Sequence, residues 1–140
     1  MFTVSQVRIF ATLVASATLG LAMTLANGIP PDTSAFVRTL LPMMFGAGLA
    51  QWLLFVQFAR KPGMFGLGLD LALWLVLIAL AGLFAGTLIM PGAGSVLGPM
   101  VTLSLPLQSP LAALIYALGA ALGIGLMRRD KARALLQPSE

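Results

Sequence analysis

The sequence contains no cysteine and no histidine. The first absence excludes disulfides and a thiolate nucleophile. The second removes the commonest metal ligand, the usual axial ligand of haem and the usual general base. Charge is almost as scarce, at 9% of 140 residues, where a soluble domain carries roughly a quarter. A water-facing surface cannot be built from that inventory. With 59% of residues hydrophobic, the expected surroundings are lipid.

A bilayer core about 30 Å thick takes about 20 apolar residues per helix at about 1.5 Å each. Four runs meet that need, at 9–27, 37–59, 67–90 and 110–127. They use up most of the chain, so a single membrane domain over 1–140 is expected. The expected fold is an all-α, integral membrane four-helix bundle, with an apolar outer-side segment before the last helix and a basic tail at 128–140. The first run ends in "TLANG", a small-residue stretch of the kind found at signal-peptide cleavage sites. A lone Arg8 ahead of it makes a poor signal n-region, so the run is expected to be a retained span.

Cations are distributed unevenly around these spans. Arg8 precedes the first, Arg60 and Lys61 follow the second, and Arg128, Arg129, Lys131 and Arg133 follow the fourth. Four crossings put all of these on one side and Arg38 alone on the other. The positive-inside rule then places both termini in the cytoplasm. Six arginines against two lysines, with abundant Ala, Gly and Leu, point to a GC-rich bacterium and hence to its inner membrane. In that setting "RRDKAR" reads as an orientation signal touching anionic lipid, and nucleic acid is not expected as a partner.

Small residues mark the helix faces. Thr12, Ser16, Gly20 and Thr24 recur every four residues, a stripe that lets backbones approach and hydroxyls bond across helices or back to their own carbonyls. Asn27-Gly28 should end the first helix, Pro30-Pro31 should block its continuation, and Asp32 or Ser34 should cap the second. Pro42 is expected in the opening turns of that helix, where a missing donor matters little. Gly46 and Ala50 continue a small face. "GLFAG" (82–86) and "GAALG" (119–123) are two GxxxG spacings, the signature of closely packed membrane helices.

The segment 91–110, "PGAGSVLGPMVTLSLPLQSP", carries no charge at all. Its glycines and prolines read as a connection, yet its middle is as apolar as a buried strand. "MVTLSLPL" alternates, with Val101, Leu103 and Leu105 on one side and Thr102 and Ser104 on the other. Bare backbone cannot lie in hydrocarbon without losing hydrogen bonds. The segment is therefore expected flat in the interface, re-entrant under a protein cover, or docked on other membrane subunits. The partner-docking candidates are Val96, Leu97, Met100, Val101, Leu103 and Leu105, together with Gly82, Gly86, Gly119 and Gly123.

No catalytic constellation is present. The chain has no HExxH and no GxxxxGK[ST], and Asp32 and Asp70 belong to opposite faces of the bilayer, so an enzyme is not expected. "GAGSVLG" (92–98) has the glycine spacing of a degenerate nucleotide fingerprint without its strand, helix or acid. Asp70 is the one acid within an apolar run, where a carboxylate costs about 2.5–3.5 kcal/mol at mid-bilayer. Its position near the start of the third span suits a charge anchor facing Arg60 or Lys61. The alternatives are an ion site or a salt bridge to another subunit. Gln51 lies deep in the second span and should bond to a neighbouring helix or a substrate. Trp52 and Trp74 sit below the interfacial belt at one level. They are candidates to pack together or, with Met43 and Met44, to contact lipid or a hydrophobic cofactor. No metal site is expected, and no cofactor beyond such a lipid or hydrophobic ligand.

Size, span number and "ARKPG" (59–63) after the second span resemble the small membrane component of tripartite tricarboxylate transporters, while the long outer segment departs from that pattern. The resemblance implies a small membrane subunit of a solute transporter. The residues themselves point first to a non-catalytic accessory or scaffold subunit of a larger inner-membrane complex, then to a transport or channel subunit, then to a lipid-binding or cofactor-binding protein. Fusing a periplasm-active reporter to each terminus tests the layout. Both fusions should be silent, and one silent with one active would dismantle it.

Overall fold

A computed structural model describes residues 4–28 and 32–136. Five α-helices follow one another: α1 (Val4–Asn27), α2 (Thr33–Leu54), α3 (Gly63–Ile89), α4 (Ala93–Gln108) and α5 (Pro110–Leu136), with a 3-10 turn at Phe55–Gln57 after α2. No strand occurs among the described residues, and the fold is an all-α bundle. Helices α1, α2, α3 and α5 each contain a stretch long and apolar enough to cross a membrane, as expected of an integral membrane protein. At about 1.5 Å per residue the 16 residues of α4 reach only about 24 Å, short of the hydrocarbon core.

The segment 91–110 is thus neither a loop nor a strand. Gly92, at φ +89°, turns the chain in a conformation that suits glycine. The next residues wind into α4, which packs back along α3. The alternation of "MVTLSLPL" does not survive the helical period: Thr102 and Leu105 both face inward and are fully buried. Leu105 is therefore core and not docking surface. Val96, Leu97, Met100, Val101 and Leu103 do lie on the exposed side.

Glycines bring α3 and α4 together. A Cβ on Gly98 would meet the Gly82 carbonyl oxygen at 2.0 Å, and one on Gly94 would meet that of Gly86 at 1.9 Å. Gly94 and Gly98 continue at the same spacing into Thr102, whose hydroxyl lies 3.1 Å from the Ile78 carbonyl. The contact therefore runs antiparallel through 86/94, 82/98 and 78/102. "GAGSVLG" is a helix-entry turn followed by a packing GxxxG, which accounts for its glycines without a nucleotide.

Other small residues are also used within the chain. Gly46 of α2 seats against the Ala81 carbonyl of α3, Gly119 of α5 against Thr18 of α1, and Gly123 of α5 against the Trp74 ring. Gly82, Gly86, Gly119 and Gly123 are all covered by the protein itself, so they offer no face to a partner. Along α1, Thr12 and Thr24 bond back to the carbonyls of Arg8 and Gly20, and Ser16 donates across to the Met44 carbonyl at 3.0 Å. Ser109 alone separates α4 from α5, and the corner is sharp enough for the Tyr116 hydroxyl to donate to the Thr102 carbonyl at 2.9 Å.

Helix ends depart from expectation in instructive ways. Helix α1 stops at Asn27, with Gly28 at φ +79°, whereas Pro30 and Pro31 lie outside the described residues. Helix α2 begins at Thr33, so Pro42 falls well inside it, and the bond its missing N–H would make to the Arg38 carbonyl is lost. Asp32 sits at the N-cap without a side-chain cap bond. It accepts the Ser34 hydroxyl instead, and that bond draws its pKa below the usual carboxylate value.

The glycine contact is open to direct test. Gly98→Ala should force α3 and α4 apart and cost about 1–3 kcal/mol, the usual scale of overpacking. Gly125→Ala, where a Cβ would meet nothing within 4 Å, should be neutral or stabilise by up to about 1 kcal/mol through helix propensity. Unfolding in detergent by SDS titration, followed by circular dichroism, measures both.

Candidate functional site

One end of the bundle gathers the charge. Helix α2 gives way there to the 3-10 turn. Phe58 is then extended, Ala59 adopts the left-handed φ of 55°, and Pro62 precedes α3. A left-handed alanine costs about 1–2 kcal/mol. Its backbone N–H is held by the Asp70 carboxylate, Oδ1, at 2.9 Å. The other carboxylate oxygen accepts Arg128 Nε at 2.6 Å. Asp70 is 1% exposed, while the Arg128 side chain keeps 26% of its surface in contact with the surroundings. The anchor role is thus filled by Arg128 of α5 and not by Arg60 or Lys61. Helix α5 is close to α3 only in the fold, being 58 residues away along the chain.

Two further details make this end a latch. Gly66 lets the turn close: a Cβ there would lie 1.9 Å from the Lys61 carbonyl oxygen and 3.0 Å from an Arg128 Nη. One turn beyond Arg128, Lys131 Nζ donates to the carbonyls of Phe58 and, at 3.4 Å, Val56. A cation is thus set on carbonyls of the 3-10 turn and its C-cap, where the chain leaves the helix. The stretch containing "RRDKAR" is accordingly a continuation of α5 that ties α2 and α3 together. At the edge of this end, Arg8 stacks 3.5 Å from the Trp52 ring centroid and donates to the Trp52 carbonyl at 2.7 Å.

The deeper candidates separate. Trp52 is 55% exposed beneath Arg8, whereas Trp74 is buried between Gly123 and Phe58, edge-on to the latter at 6.4 Å. The two tryptophans face different helices and do not pair. Met43 is buried in the core and Met44 half-buried. Gln51 is fully buried, and its amide nitrogen lies 3.4 Å from Met127 Sδ. Gln51 and Asp70 therefore meet adjacent residues of α5, Met127 and Arg128. Gln51 Oε1 and Trp74 Nε1 have no hydrogen-bond partner among the described residues, an arrangement that costs about 1–3 kcal/mol per group. No cluster of three metal-ligating side chains occurs among the described residues.

Sequence reading missed Arg128 as the partner of Asp70, and Gly94, Gly98 and Thr102 as a packing face. The second was detectable in the four-residue spacing, but prolines and glycines around it read as loop. The first had no local signal. No family model, curated protein or solved structure matches the chain. The reading of this site therefore rests on its own chemistry, an ion pair in which both carboxylate oxygens of Asp70 are bonded.

The two partners should respond unequally to substitution. Arg128→Gln strands a buried carboxylate and should cost about 3–5 kcal/mol. Asp70→Asn retains an acceptor for the Ala59 N–H and frees an arginine that already reaches the surroundings, so about 1–2 kcal/mol is expected. Equal losses in the same SDS titration would show that the carboxylate is not held as described.

Proposed function

We propose that this chain is a non-catalytic accessory subunit of a larger bacterial inner-membrane complex, with both termini in the cytoplasm. The observation that carries the reading is the use made of its polar groups. Asp70, Arg128, Lys131, Ser16 and Thr102 are all bonded within the chain, and the bundle is thereby tied into one block. What is left facing outward on α4 is uncharged and mostly apolar: Val96, Leu97, Met100, Val101, Leu103 and Leu107, with Met100 66% and Leu107 89% exposed, while Ser95, Ser104 and Gln108 bond within the helix and its entry turn. A helix too short to span, yet held beside a spanning one, presents a ledge on which partner helices can pack. Its docking residues are Val96, Leu97, Met100, Val101 and Leu103.

A second reading makes the chain a small subunit of a solute transporter or channel, with Gln51 and Asp70 along the path. It is favoured by the unpaired Gln51 Oε1 and Trp74 Nε1 beside one face of α5. The closed Asp70–Arg128 pair favours the first reading, since a carboxylate bonded on both oxygens is ill placed to exchange a cation.

Mild-detergent extraction followed by native mass spectrometry separates the two. Larger membrane subunits should accompany the chain, and a photo-crosslinker replacing Met100 should join it to one of them. Replacing Phe45, an exposed residue of α2, should give no such product. A chain that leaves the membrane alone or as a discrete homodimer, and loses solute uptake on Asp70→Asn, establishes the second reading in place of the first.

A further inference from the structure

The charged end of the bundle also holds a cavity of about 330 Å³, within the size range of small-ligand sites, about 300–1,000 Å³. Its walls come from two distant parts of the chain. The α2–α3 connection contributes Arg60 and Lys61 beside Ala59, and α5 contributes Arg128 and Lys131 beside Ala132. Four cations thus line one depression, and the one ion pair among the described residues is Arg128 with Asp70. The other three have no ion-pair partner of their own, and their short-range contacts are with neutral groups, although Lys131 also feels the Asp70 carboxylate and the Arg60 guanidinium. Arg60 Nε reaches the Val56 carbonyl at 3.3 Å, Lys61 lies 5.4 Å from the Phe65 ring centroid, and Lys131 donates to backbone carbonyls. Like charges gathered at this spacing repel one another unless an anion joins them.

The chemistry and position of the cavity select the anion. Arginine and lysine together suit a phosphate, the first as a planar fork and the second as a point charge. The cavity lies where α2 ends and α3 begins, at the boundary of two membrane-length stretches. Directly beside it, Met64 and Phe65 stand 90% and 75% exposed, an apolar step of the kind that rests among acyl chains. A soluble anion would have no use for that step, whereas a lipid fills both parts at once.

We infer that the cavity between the α2–α3 connection and α5 is a binding site for the phosphate headgroup of an anionic phospholipid. Arg60, Lys61 and Lys131 face the phosphate, and Met64 and Phe65 lie along the acyl chains. The site differs from diffuse attraction of a basic segment to the membrane in being formed only when α5 is latched onto the α2–α3 connection.

The full chain, purified and delipidated in neutral detergent, tests this by titration with phosphatidylglycerol or phosphatidylcholine, read by native mass spectrometry and by the shift in unfolding temperature. Phosphatidylglycerol should bind and stabilise, and phosphatidylcholine should not. Arg60 and Lys61 are exposed, so the double variant Arg60→Gln/Lys61→Gln should fold, as circular dichroism can verify, and bind phosphatidylglycerol about tenfold or more weakly. The control Arg38→Gln/Arg129→Gln removes the same charge outside the cavity and should change binding less than about twofold. Equal weakening by both double variants, or equal binding of the two lipids, would overturn the inference. So would inorganic phosphate alone reproducing the stabilisation.

Discussion

The closeness of α3 and α4 is the constraint on which the rest of the architecture depends. In lipid there is no hydrophobic gain in pressing one apolar helix onto another, so association relies on van der Waals contact and on polar groups that cannot find water. Four glycines remove the side chains that would hold the backbones apart. The carbonyl oxygens of one helix then lie against the Cα atoms of the other, a geometry that admits Cα–H···O contacts. Thr102 adds its hydroxyl at the next step of the same stripe. With that seam closed, an uncharged 16-residue helix too short to span, and interrupted by Pro99 and Pro106, can lie beside a spanning one, the Thr102 carbonyl that faces Pro106 accepting the Tyr116 hydroxyl instead.

A second constraint acts at the opposite end of α3. The break after α2 takes the Val56 and Phe58 carbonyls out of the α-helical pattern and puts Ala59 in a left-handed conformation, both costly where water is scarce. Asp70 takes the Ala59 N–H, Lys131 takes the carbonyls, and Arg128 neutralises Asp70. One element, the last helix, thus supplies two cations to a turn formed more than 60 residues earlier in the chain. The same arrangement gathers Arg60 and Lys61 into the depression assigned to a lipid phosphate. Lys131 belongs both to the latch and to the proposed phosphate site.

These two constraints frame the functional reading. Polar groups that would serve catalysis or ion passage are bonded inside the chain, while the broad outward surfaces are apolar. Among the described residues the orphaned polar atoms are those of Arg8, Gln51 and Trp74, and the deeper two are what keeps a transport reading physically distinct from a scaffold one.

Composition and periodicity made the membrane class legible, because charge scarcity and the four apolar runs are properties of local sequence. The stop at Asn27-Gly28, the small stripe of α1 and the GxxxG at 82–86 were legible for the same reason. The helical state of 93–108 was not, since glycine and proline disfavour helix locally and only contact with α3 makes the helix worthwhile; tertiary packing overrode propensity there. The partner of Asp70 was equally out of reach. Arg60 and Lys61 were near in sequence, but the choice of Arg128 depends on where α5 lies after three reversals of the chain. Electrostatic pairing is decided by distance in space, and no one-dimensional pattern in this chain carries that distance.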